Sequence, residues 1–203
     1  MLPILASVIL ISLSGVMMPG PMFAVALAKS FKSLWAGAQL ALGHAVVEVP
    51  LILLIYFGFA RFFEEPALQL VLSVAGGSMI AWMGVSMFRA RANVVRQGKD
   101  LSYSAFVGGI IMSGLNPFFL LWWATVGGLL IMRFLEFGLG GLFIFTLAHW
   151  LTDLAWLSLV SVLVYRTHRL WGVRFQEWVF IAGSLLLLGF GVWFVVSGVQ
   201  MVV

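Results

Sequence analysis

The chain has 203 residues, of which 63% are hydrophobic and 9% charged, with a formal net charge of +4 and no cysteine. Soluble domains carry roughly 25% charged residues, so this composition, with a mean hydropathy of +1.14, excludes a soluble domain and implies an integral membrane protein. Disulfides, thiolate metal sites and thiol relays are excluded too, and the basic residues lie in short gaps rather than on one face, which argues against a nucleic-acid partner.

Apolar runs of about 20 residues can cross a bilayer as helices. Six occur, at about 4–28, 38–60, 67–88, 105–132, 138–165 and 179–202. The first has no positive residue ahead of it and outruns a signal-peptide core, so it reads as span one. It contains Met18-Pro19-Gly20-Pro21, where the prolines remove backbone donors and break the helix. Span two carries His44 and Glu48, four residues apart. The acidic Glu64-Glu65-Pro66 precedes span three, and the longest break, 89–104, follows it. Span four carries Leu115-Asn116-Pro117, a second break that Asn116 can cap; span five repeats the earlier spacing as His149 and Asp153. Segments of alternating polarity are absent, which leaves helices as the spanning structure.

Gaps after spans one, three and five hold nine Lys or Arg residues, including Lys29, Lys32 and Arg96, whereas the gaps after spans two and four hold only Arg61 and Arg133. The odd gaps therefore face the cytoplasm and both termini lie outside. Features recur in the same order in each half. Three spans per half is an odd number, so the expected fold is all-α, six transmembrane helices forming a 3+3 inverted repeat with broken helices one and four. The expected layout is a single domain, 1–203, with repeat one at 1–88, a cytoplasmic connection at 89–104 and repeat two at 105–203.

An ionised side chain at the bilayer centre costs about 3 kcal/mol even on lenient scales. Two His/carboxylate pairs therefore mark a polar path or pocket. A four-residue spacing puts both members on one helix face, and each pair can pass a proton. His44, Glu48, His149 and Asp153 are thus the candidates for proton or ion coupling, with structural helix ties as the bland alternative. The same four groups offer a mixed nitrogen and oxygen shell for a divalent metal. Backbone exposed at the breaks can bind a substrate carboxylate, so Pro19, Gly20, Pro21, Asn116 and Pro117 are the candidate substrate-binding residues. Trp122, Trp123, Trp150, Trp156, Trp171, Trp178 and Trp193 read as interfacial anchors and packing residues. Gln39 and Thr152 are candidate pocket contacts, and His168 reads as solvated.

The stretch Ser14-Gly15-Val16-Met17-Met18-Pro19-Gly20-Pro21, followed by Gly37, Gly43-His44 and Gly114-Leu115-Asn116-Pro117, resembles the LysE/RhtB family of amino-acid exporters over about residues 12–127. The resemblance implies a secondary transporter that expels amino acids or related small metabolites at the expense of an ion gradient. Many members carry lysine after Asn-Pro, whereas this chain has Phe118, so lysine specificity is not carried over. Relatives in the wider superfamily handle divalent metals, which keeps a metal-ion transporter as the alternative; a non-transporting structural membrane protein is the other. Enzymatic activity is not expected, since no nucleophile motif accompanies Glu48 and Asp153. Expected partners are a small-molecule substrate, an amino acid in the first instance, a proton as coupling ion and the lipid bilayer. No cofactor is expected, homo-oligomerisation stays open, and the expected location is the cell membrane.

Overall fold

A computed structural model of the protein describes residues 2–17, 20–59, 65–97 and 100–200, whose regular structure is entirely helical. Helices α1 (Leu2–Val16) and α2 (Pro21–Ser30) divide the first apolar run. Next come α3 (Ala36–Tyr56) and α4 (Pro66–Gln97). The fourth run is cut into α5 (Ala105–Gly114), α6 (Pro117–Trp122), a π-helical turn (Trp123–Gly127) and α7 (Gly128–Met132). Helices α8 (Gly138–Thr167) and α9 (Val173–Gln200) follow.

Proline marks the start of three helices. Pro21, Pro66 and Pro117 each occupy a first helical position, where the missing N–H costs nothing and the fixed φ suits the turn. Pro19 lies outside the described residues. Among the described residues, Ala36–Tyr56, Pro66–Arg96, Leu135–Leu170 and Val173–Gln200 are long and apolar enough to cross a bilayer, while α1 and α5 supply only shorter apolar stretches. Runs one and four are therefore not the continuous spans their hydropathy suggests. Helix α4 also outlasts its apolar run, because the arginines beyond it are good helix formers.

Buried apolar side chains form two clusters, one including Ala24, Leu40, Met87, Leu157 and Phe180, the other including Val8, Ile52, Trp123, Phe134 and Phe145. Helix α3 contributes Leu40 and Ala41 to the first and Leu51, Ile52 and Ile55 to the second; α8 contributes Leu157 and Val160 to the first and Leu142 and Phe145 to the second. His44 with Glu48, and His149 with Asp153, occupy the stretch of each helix between the two clusters. A polar layer is thus sandwiched between apolar ones.

Close backbone approach holds the layer together. A Cβ on Gly37 would strike the Leu157 carbonyl of α8, and one on Gly109 of α5 would strike the Leu40 carbonyl of α3. Small residues allow such crossings in membrane helices, where van der Waals packing replaces the hydrophobic drive. Gly109→Val is expected to push α5 off α3 and lower stability by about 1–3 kcal/mol, a typical overpacking cost, read as an earlier thermal unfolding of the detergent-solubilised protein. An unchanged midpoint would show that the crossing tolerates expansion.

Candidate functional site

Helices α3 and α8 bring the two His/carboxylate pairs into one cluster. All four side chains are buried: His44 is 8% exposed, Glu48 0%, His149 4% and Asp153 5%. His44 Nε2 lies 2.8 Å from Glu48 Oε1 and 3.3 Å from Asp153 Oδ2. His149 Nε2 lies 3.1 Å from Glu48 Oε1 and 3.6 Å from Asp153 Oδ2. Each imidazole therefore faces both carboxylates, and His149 is nearer to Glu48 of the other helix than to the acid one turn along its own. Local spacing predicts two separate pairs; the helix crossing merges them.

Two serines outside the sequence-derived candidates complete the cluster. Ser113 Oγ of α5 lies 2.6 Å from His44 Nδ1, and Ser12 Oγ of α1 lies 2.6 Å from His149 Nδ1. Each hydroxyl donates its single hydrogen to a carbonyl one turn back, Ser113 to Gly109 and Ser12 to Val8, both at 2.7 Å. A serine whose hydrogen is spent on that carbonyl can only accept from its histidine, an arrangement that has a proton on Nδ1 of both rings. With Nδ1 protonated, each of the two Nε2 atoms needs one further proton, shared with a carboxylate, to make a hydrogen bond. Two shared protons balance the two carboxylates, so the cluster is neutral in this arrangement, as burial demands. Glu48 Oε2 is buried and has no hydrogen-bond partner. A hydroxyl ahead of the break in each divided run is the signal that would have pointed to Ser12 and Ser113.

The cluster opens onto a cavity of about 370 Å³. Its lining includes Gly20, Pro21 and Asn116 together with all four titratable residues and both serines. Gly20 is extended (φ −155°, ψ −173°) and caps α2, leaving the first-turn N–H groups of Met22 and Phe23 without helical acceptors; both residues line the cavity. Asn116 Oδ1 accepts the Phe119 N–H at 3.3 Å, capping α6. Pro117 is buried and is not among the lining residues, and Pro19 lies outside the described residues.

Several secondary expectations are corrected. Trp122, Trp123 and Trp193 line the cavity in addition to the anchoring and packing expected of them. The π-helical turn carries Trp123, which is fully buried with its ring edge on His149 at 5.0 Å; such turns are frequent at functional sites. Gln39 is exposed on α3, and buried Thr152 bonds the Ala148 carbonyl, so neither contributes to the cavity. His168 is half-buried against Phe31, with Nδ1 2.8 Å from the Tyr165 carbonyl, and is not a freely solvated side chain. Lys29, at the end of α2, is only 3% exposed; its Nζ donates to Asp100 Oδ1 at 3.0 Å and to the Leu101 carbonyl at 3.3 Å. Burial holds its ammonium below the usual lysine range, while the bond to Asp100 and its charge pull the other way.

Against known proteins, residues 13–198 match the family model described as LysE type translocator. No curated protein and no solved structure matches the chain. The match extends past the motif-bearing stretch through α8 and most of α9, and so includes both histidine-bearing helices.

Proposed function

The chain belongs to the LysE type translocator family and is a membrane transporter; from that premise we propose that it exports amino acids or related small metabolites across the cell membrane in exchange for protons. The observation that carries this reading is a cavity in which two helix breaks and a closed ring of four titratable groups meet. A zwitterion fits its chemistry. The start of α2 presents free N–H groups and the positive end of a helix to a carboxylate, and unpartnered Glu48 Oε2 accepts an ammonium group. His44, Glu48, His149 and Asp153 hold the coupling protons. Arrival of the ammonium beside Glu48 displaces a shared proton, because the buried cluster tolerates only a small net charge. Gly20, Pro21, Asn116 and Pro117 create the binding ends.

The contacts also support a 3+3 inverted repeat of six spans, with repeats at 1–88 and 105–203 joined by 89–104. Ser12 of the first half holds His149 of the second, and Ser113 of the second holds His44 of the first. A twofold axis in the membrane plane would exchange these pairs. Alternating access then follows from movement of one repeat group against the other, with both termini outside according to the distribution of basic residues. The test is flux in liposomes holding the full chain, where an imposed pH gradient is expected to drive amino-acid accumulation and a protonophore to stop it. Accumulation indifferent to the gradient would remove proton coupling.

A specific observation favours a second reading. Donor atoms of His44, Glu48 and Asp153 lie within 4.8 Å of one another, and such a mixed set suits manganese, nickel, cobalt or zinc as cargo. Calorimetric titration with manganese, nickel and zinc salts is expected to give only weak, nonspecific heats. Tight binding that Glu48→Gln removes would transfer the cargo role to the metal.

A further inference from the structure

Resting on the reading of this cavity as the transport site, we propose that its cargo is an amino acid with a large apolar side chain, aromatic by preference. The cavity, about 370 Å³, falls in the range that encloses small ligands. Its polarity is gathered at a few points. Among the described residues no lysine or arginine lines it, so a side-chain carboxylate on the substrate would be buried without a counter-charge. That is costly. A side-chain ammonium or guanidinium would add a second positive charge beside a cluster whose Glu48 Oε1 and Asp153 Oδ2 already face the imidazoles, and a buried cluster tolerates only a small net charge. The free Glu48 Oε2 serves the α-ammonium alone.

What remains for the side chain is apolar wall. Phe119 meets His44 edge-on at 5.1 Å and Trp122 stacks on His149 at 5.9 Å, so aromatic surface begins at the polar ring itself. Helix α9 adds Phe190 and Trp193, with ring centroids 6.1 Å apart, and Met22 and Leu157 extend the apolar lining. A ring placed there gains offset or edge contacts that an aliphatic chain of equal area does not, while a hydroxyl or amide would lose hydrogen bonds to water without replacement. Size, charge and surface thus select in the same direction.

Counterflow in liposomes holding the full chain tests this, using labelled L-phenylalanine or L-tryptophan with unlabelled L-lysine, L-glutamate and L-threonine as competitors. Phenylalanine or tryptophan is expected to exchange at least about tenfold faster than the three competitors, in keeping with the cost of burying unpaired polar groups. Trp193→Ala is expected to slow phenylalanine exchange several-fold, and Trp193→Phe to restore most of it. Faster exchange of lysine, glutamate or threonine would overturn the substrate class while leaving the transporter reading intact. No exchange of any amino acid by a folded, monodisperse preparation would overturn both, and equal phenylalanine exchange by Trp193→Ala and the unaltered protein would overturn the aromatic preference.

Discussion

Glu48→Gln is expected to abolish proton-driven flux in liposomes, with a loss of roughly a hundredfold or more, the usual scale when a proton-transferring group is removed. Glu48 is the node of the cluster, since both imidazoles meet its Oε1, at 2.8 and 3.1 Å. Glutamine keeps the shape and can accept one hydrogen bond, yet it carries neither a charge nor a transferable proton. One of the two shared protons then has no negative partner, and the ammonium of a substrate loses its acceptor. Folding should survive, because neutralising a buried ion cluster is often tolerated when volume is kept. Asp153→Asn should act in the same direction but less severely, given its longer contacts of 3.3 and 3.6 Å. Gradient-driven flux at the unaltered rate in Glu48→Gln, with normal helicity, would sink the coupling role.

Ser113→Ala is expected to move the proton on His44 from Nδ1 to Nε2, and Ser12→Ala to do the same for His149. Each serine is a positioning residue, because its hydroxyl is spent on a carbonyl and can only accept from the ring. Without it a buried Nδ1–H is stranded, at a cost of about 1–3 kcal/mol. The ring escapes that cost by adopting the other tautomer, whose Nε2–H donates to the carboxylate directly. That contact then needs no shared proton, so the cluster holds one proton fewer and carries a net negative charge that burial opposes, and each substitution loosens coupling between proton and substrate fluxes. Nitrogen-15 spectra of histidine-labelled protein read the tautomer independently of transport, with His168→Gln simplifying the assignment. The unaltered protein should show Nδ1 protonated in both rings, and Ser113→Thr should preserve this. An unprotonated Nδ1 in either ring of the unaltered protein would show that the serines do not set the proton count.

The break at Gly20–Pro21, the break at Asn116–Pro117 and the spacing of each His/carboxylate pair are legible along the chain because each is decided within one helical turn. The merging of the pairs is not. It depends on α3 lying against α8 at Gly37 and against α5 at Gly109, and nothing local to His44 announces that Ser113, 69 residues away, will meet its ring. The tryptophans show the same limit. Trp122, Trp123 and Trp193 lie in helical stretches as apolar as those facing lipid, so periodicity does not reveal which face turns toward the cavity.

By itself, the chain's composition and order determined a helical membrane protein, the sites of its two interruptions and the family to which it belongs, because water-free hydrocarbon leaves the backbone no alternative to helix and proline acts on its own turn. Tertiary structure alone decided that four titratable groups form one cluster, that Ser12 and Ser113 each meet an imidazole Nδ1, and that aromatic rings wall the cavity beside them. Those outcomes depend on the rotation of each helix about its axis, which is set by where backbones approach closely and not by the apolar character common to every face.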